Sequence, residues 1–108
     1  MSSFKQGRFE EILRDLAARF LSRESNRTSL ITVTKIETND QASTATIFFT
    51  VLPESQEAAA LDFVKRQRGN FREFVKDNAR LMRIPFFDFE VDRGEKSRQK
   101  IDALTNGN

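Results

Sequence analysis

Thr44-Ala45-Thr46-Ile47-Phe48-Phe49-Thr50-Val51-Leu52-Pro53 decides how the rest of this 108-residue chain is read. Ala45, Ile47, Phe49 and Val51 alternate strictly with Thr44, Thr46, Phe48 and Thr50. That period of two sends one set of side chains to each face of a β-strand, so a strand is expected over Ala42 to Leu52 with its apolar set toward a core. Pro53-Glu54-Ser55 ends it.

Working outward toward the N-terminus, Asn39-Asp40-Gln41 supplies a turn. Before it, Leu30-Ile31-Thr32-Val33-Thr34-Lys35-Ile36-Glu37 is short and β-branched. Val33 and Ile36 have opposite parity, which a bulge near Thr34-Lys35 reconciles. The two strands are expected to pair as an antiparallel hairpin. Ser25 to Ser29 reads as a polar connection. Upstream of it Phe9, Ile12, Leu13, Leu16, Ala17, Phe20 and Leu21 recur at steps of three and four, the stripe of an amphipathic helix from about Phe4 to Arg23.

Toward the C-terminus, Ser55 followed by Ala58, Ala59 and Ala60 has the form of an N-cap before good helix formers, opening a second helix that runs to about Gln67. Gly69 costs on the order of 1 kcal/mol in a helix interior, so it is expected to mark a kink, a cap or a close contact. Phe71, Phe74, Val75, Leu81 and Met82 resume helical spacing as far as Arg83. Ile84-Pro85 breaks that third helix, and Phe87, Phe89 and Val91 alternate with Asp88, Glu90 and Asp92 in a third strand. Ile101 and Leu104 suggest one or two turns of weak helix at the end. The order helix, strand, strand, helix, kinked helix, strand is that of a single α+β domain over residues 1–108, with loose ends at about 1–4 and 105–108.

Composition narrows the function. The chain has no cysteine and no histidine. That removes thiolate nucleophiles, Cys-based zinc sites, the commonest general base and any Ser-His-Asp arrangement. Glu10, Glu11, Glu90 and Asp92 have the alternation of solvated faces rather than of a paired catalytic acid and base, and the four glycines form no phosphate-cradling loop. No enzyme activity, metal or other cofactor, or small-molecule substrate is expected. No apolar run is long enough to span a membrane and the N-terminus lacks a secretory signal, so the chain is expected in the cytoplasm.

Charge distribution is more informative than the net +2. Ile36 to Val64 contains no Lys or Arg, whereas Lys65, Arg66, Arg68, Arg72, Lys76, Arg80 and Arg83 follow with only Glu73 and Asp77 among them. Lys65, Arg68, Arg72, Lys76, Arg80 and Arg83 are spaced by three, four, four, four and three, one stripe of a continuous helix beside an apolar seam of Val64, Phe71, Val75, Ala79 and Met82. A row of cations, mostly arginine, suits nucleic-acid phosphates, the alternative being a solvated helix face with i,i+4 pairs to Glu73 and Asp77. Arg93, Lys96, Arg98 and Lys100 form a second basic group. Of the eleven phenylalanines, Phe9, Phe20, Phe49, Phe71, Phe87 and Phe89 fall on core parity. Phe48 and Phe86 fall on the other, where a second layer of packing is the expected role and base stacking the alternative.

The segment from Phe9 to Leu104 resembles the bacterial ribosome-binding factor A family. The resemblance is carried by Leu30 to Glu37, by Ala45 to Leu52, by Lys65-Arg66-Gln67-Arg68-Gly69-Asn70-Phe71-Arg72, by Arg80-Leu81-Met82-Arg83-Ile84-Pro85, by Phe86 to Asp92 and by Lys100-Ile101-Asp102-Ala103-Leu104, in that order. It implies a type II KH-like fold, a three-stranded sheet with helices on one face, in which an Ala-x-Gly kink separates two helices. Here the kink would be Gln67-Arg68-Gly69, with the alanine replaced. The connection after the first helix lacks the family's usual Asp-Pro-Arg, and the C-terminal tail is short. Membership implies a non-enzymatic factor that binds the free 30S subunit and assists late maturation of 16S rRNA, often in connection with growth in the cold; a monomer is expected, with homodimerisation through an open strand edge the alternative. Its rRNA contacts would be Lys65, Arg66, Arg68, Arg72, Lys76, Arg80 and Arg83. Two other readings stay open: a KH-like RNA-binding module outside ribosome assembly, and a protein-interaction domain built on Phe48 and Phe86.

Overall fold

A computed structural model describes the backbone of residues 2–24 and 29–106 and the side chains of residues 7–23 and 29–101. Most of the expected connection Ser25 to Ser29 lies outside the described residues. The elements are α1 (Ser2–Glu24), β1 (Leu30–Thr38), β2 (Thr44–Leu52), a 3-10 turn (Glu54–Gln56), α2 (Glu57–Arg66), α3 (Arg68–Asn78), β3 (Phe86–Val91) and α4 (Arg93–Asn106). β2 is the central strand of the sheet, antiparallel to β1 and parallel to β3.

The two-residue period of β2 sets the core. Ala45, Ile47, Phe49 and Val51 are buried under the helices, the first three in register with Phe87, Phe89 and Val91 on β3. On β1 the register slips between Val33 and Lys35, so Ile31 and Ile36 both turn inward despite their opposite parity. Against this face α1 buries Leu13, Leu16, Ala17, Phe20 and Leu21, while Ile12, at the border of the stripe, is exposed. Phe71 of α3 is wholly buried among rings, its centroid 4.7 Å from Phe87, 5.3 Å from Phe20 and 5.7 Å from Phe89. Tilted and edge-on pairs at such spacings add to the gain from burial. The helices α1, α2 and α3 thus cover one face, the type II KH-like arrangement.

Several boundaries differ from those expected. β2 begins at Thr44, not Ala42, because the turn claims Asn39 to Ser43: Asn39 Oδ1 accepts from the N–H groups of Ser43 and Thr44, and Ala42 sits at φ 54°. Ser55 lies in the 3-10 turn, and neither that turn nor α2 has a side-chain cap.

The third helix stops at Asn78, five residues before the expected Arg83. Ala79 is extended (φ −147°, ψ 147°) and Asn78 Nδ2 donates to the carbonyl of Phe74. The cause is topological. A parallel β3 must begin beside Thr44, where β2 begins, so residues 79–85 return along the domain outside any helix or strand, bending at Met82 and Arg83, with Ala79, Leu81 and Ile84 packed on the core. Met82, expected in the apolar seam, is fully exposed.

The weak C-terminal helix proves to be α4, fourteen residues long. Asp92 starts it. Its Oδ1 accepts from the Glu95 N–H at 2.9 Å and its Oδ2 from the Thr34 hydroxyl at 2.5 Å. Asp92 is therefore buried as an N-cap, and Thr34 reaches it from the β1 bulge.

Candidate nucleic-acid interface

The basic residues expected to form one helical stripe divide into three groups. Lys65 and Arg66 end α2, Arg68, Arg72 and Lys76 lie on α3, and Arg80 and Arg83 lie on the non-helical return to β3. The helices part at Gln67, whose φ of −92° and ψ of 5° let it close α2 and open α3 at once: its N–H donates to the Val64 carbonyl and its own carbonyl accepts from Phe71. Gly69 follows inside α3 with no positive φ, and a Cβ built there would meet nothing within 4 Å. Neither backbone strain nor a close intramolecular contact requires glycine there.

Hydrogen bonding shows which cations are committed. Asp88, on the face of β3 turned away from the helices, accepts from Lys65 Nζ at 3.0 Å and Arg68 Nη1 at 3.3 Å, and its Oδ1 also takes the Phe89 N–H at 2.9 Å. Burial opposes ionisation of Asp88, but the bonds from Lys65 and Phe89 and the charges of Lys65 and Arg68 outweigh it and hold the carboxyl below its ordinary pKa. Arg72 Nη1 donates at 3.3 Å to the carbonyls of Ile84 and Pro85, strapping the return segment to α3. Arg66 pairs with Asp62 and Lys76 with Glu73, at 3.5 and 3.8 Å on exposed surfaces where such pairs are weak. Among the described residues Arg80 and Arg83 have no acidic partner. The cations thus gather around the outer edge of β3 and its approach.

The second basic group is occupied elsewhere. Arg93 Nη1 lies 3.2 Å from Glu57, Lys96 lies 3.0 Å from Glu54 and 2.9 Å from Glu57, Lys100 lies 3.7 Å from Glu54, and Arg98 pairs with Glu95. Bonds to Glu57 and Glu54 raise the pKa of Lys96, and the bond from Lys96 lowers that of Glu54. Arg93, Lys96 and Lys100 thus clasp α4 to the 3-10 turn and the start of α2, while the Arg98–Glu95 pair lies within α4.

Two contributors were missed in the sequence, and a third was expected in another role. Asp88, read only as the polar partner of an alternating strand, organises two of the cations. Arg23 of α1 has its guanidinium carbon 5.5 Å from the Phe74 ring, placing a further cation beside α3. Phe86, expected in a second packing layer, is 59% exposed with the Arg68 guanidinium 5.6 Å from its ring centroid. Phe48, on the same face, is half-buried under Lys35, whose Nζ lies 4.8 Å from the ring.

Among the described residues no three His, Cys, Asp or Glu side chains gather as metal ligands, and no helix is long and apolar enough to cross a membrane.

Residues 5–105 match the sequence pattern of the family Ribosome-binding factor A. The chain is 27% identical to ribosome-binding factor A of Thermomicrobium roseum over 107 residues, covering 96% of this chain and 83% of the relative. It is 28% identical to that of Desulfitobacterium hafniense over 110 residues, covering 99% and 88%. Its fold is similar to the crystal structure of ribosome-binding factor A from Thermus thermophilus, with a TM-score of 0.70 at 19% identity over 79% of this chain and 92% of that one. A solution structure from Thermotoga maritima, also described as a ribosome binding factor A, gives 0.67 at 22% identity over 82% and 87%. With the family pattern spanning nearly all of a KH-like domain, this chain belongs to the ribosome-binding factor A family.

Proposed function

We propose that this chain is a non-enzymatic assembly factor that binds the free 30S subunit in the cytoplasm and assists late maturation of 16S rRNA. The observation that carries this reading is the cationic edge around β3, at whose tip Arg80 and Arg83 stand without acidic partners among the described residues. Its family supports a ribosomal partner. Arg80 and Arg83 take phosphates directly. Lys65, Arg66 and Lys76 exchange carboxylates for phosphates as RNA arrives, Arg68 adds positive charge while it keeps its bond to Asp88, and Arg72 chiefly holds the 79–85 segment in place. The factor acts as a monomer without metal or other cofactor, by binding one rRNA conformation more tightly than another, which shifts the population toward it.

Deleting the gene tests this. Unprocessed 16S precursor and free 30S subunits are expected to accumulate, more so in the cold, and plasmid-borne wild type should restore both. A deletion strain with normal 16S ends and a normal subunit profile at low temperature would refute the proposal.

A further inference from the structure

Phe86 is an exposed aromatic on a fixed mount. It opens β3 on the face opposite to Phe87, Phe89 and Val91, so it has no place in the core. Its N–H donates to the Ser43 carbonyl at 2.9 Å. The two carbonyls before it, those of Ile84 and Pro85, both accept from Arg72, and Pro85 is buried. With its backbone held on both sides, the ring has only its two side-chain torsions to lose on binding.

Arg68 lies over this ring while its Nη1 is tied to Asp88, so the guanidinium is oriented rather than swinging in solvent. The single negative charge of Asp88 is met by both Lys65 and Arg68, which leaves the surroundings of Phe86 positive. Phe48 differs: it is half-buried, with Glu90 as its neighbour on β3 and the Lys35–Glu37 pair beside it, a setting that repels phosphate. The exposed Leu30 and Leu52 pair with each other at the far end of the hairpin from Phe86, so they do not extend its ring into an apolar patch for a protein partner.

We infer that Phe86, with Arg68 set over its ring, is a stacking platform for one unpaired RNA base. The inference rests on the RNA-binding reading above and adds to it the class of nucleotide taken at this point. Stacking is tolerant of base identity and an aromatic platform engages single strands, while Arg83, three residues earlier, supplies a cation for a neighbouring phosphate. The Gln67–Gly69 break stands next to it, with open space over Gly69.

The chain contains no tryptophan, so Phe86→Trp installs a single indole reporter at this site. Titrated with short single-stranded oligo(A) and oligo(U) RNA, the indole emission is expected to be quenched to saturation by both. Phe86→Leu is expected to weaken binding of the same RNAs roughly 5- to 100-fold while leaving the salt slope as in wild type, because no phosphate contact is lost. If Phe86→Leu fails to fold, the quenching remains an independent readout. Absent quenching, unchanged affinity of a folded Phe86→Leu, or a shallower salt slope would each overturn the platform. Wild type that binds free 30S subunits but neither oligonucleotide would overturn the platform alone. Wild type that binds no RNA of either kind would overturn both readings.

Discussion

Replacing Arg80 and Arg83 together by glutamine removes two cations that have no carboxylate partner among the described residues and lie outside any helix. Each phosphate they neutralise displaces counterions, steepening the dependence of log K on log salt by about 0.7 on single-stranded and 0.9 on duplex nucleic acid. The double variant should therefore have a slope shallower by about 1.4 to 1.8, and at about 0.1 M salt the same relation gives an affinity loss of roughly 25- to 60-fold. Both side chains are exposed, so stability should stay within about 0.5 kcal/mol of wild type. The control is Arg93→Gln with Arg98→Gln, whose cations are already paired with Glu57 and Glu95 and whose loss should leave the slope unchanged. Fluorescence anisotropy of labelled 16S rRNA fragments over a salt series reads both quantities. An unchanged slope for the Arg80/Arg83 variant, or an equal change for the Arg93/Arg98 variant, would refute the division between free and committed cations.

Ala42→Gly should stabilise the domain by about 1 kcal/mol, because alanine occupies a left-handed conformation there. Gly69→Ala should add about 0.5–1 kcal/mol in a helical site with open space, and urea melts that fell for either variant would contradict these backbone assignments. Phe71→Ala should cost about 3–5 kcal/mol and bring a domain of this size close to unfolding, whereas a loss under about 1 kcal/mol would place the core elsewhere. Asp92, like Asp88, has a lowered pKa: burial opposes its charge, but the Thr34 hydroxyl, the Glu95 N–H and the charges of Lys35 and Arg98 outweigh that. With both folded-state values below the unfolded one, this stabilisation is complete above about pH 4 and lost as pH falls through the folded values. Thermal melts should therefore be level through neutral pH and fall only in acid. Asp88→Asn with Asp92→Asn should lower the neutral plateau and flatten part of the acid fall, and a variant whose acid fall matched wild type would contradict this.

The sheet and its helical cover were legible because their cause is local: two-residue alternation in β2 and β3, opposite parity on either side of the β1 bulge, and a 3.6-residue stripe in α1. What the sequence hid is set by partners distant along the chain. Leu81 and Met82 keep helical spacing after Val75, yet the need for β3 to start beside Thr44 pulls them into a non-helical return, half-burying one and exposing the other. The fourteen residues of α4 carry little apolar periodicity, since charge pairs to Glu54 and Glu57 hold them. The candidate site was half legible. Its residues could be listed from the charge run, but their availability depends on Asp88, which is 23 residues from Lys65 and 20 from Arg68. Gly69 drew attention to the interhelical break, although the backbone turns at Gln67.

Binding to the small subunit itself is tested most directly by co-sedimenting the purified chain with free 30S subunits, with 70S ribosomes and with an unrelated structured RNA, at low and moderate salt. Selective pelleting with 30S that persists at moderate salt is the predicted result. Equal pelleting with all three, or none with 30S at either salt, would contradict the assignment.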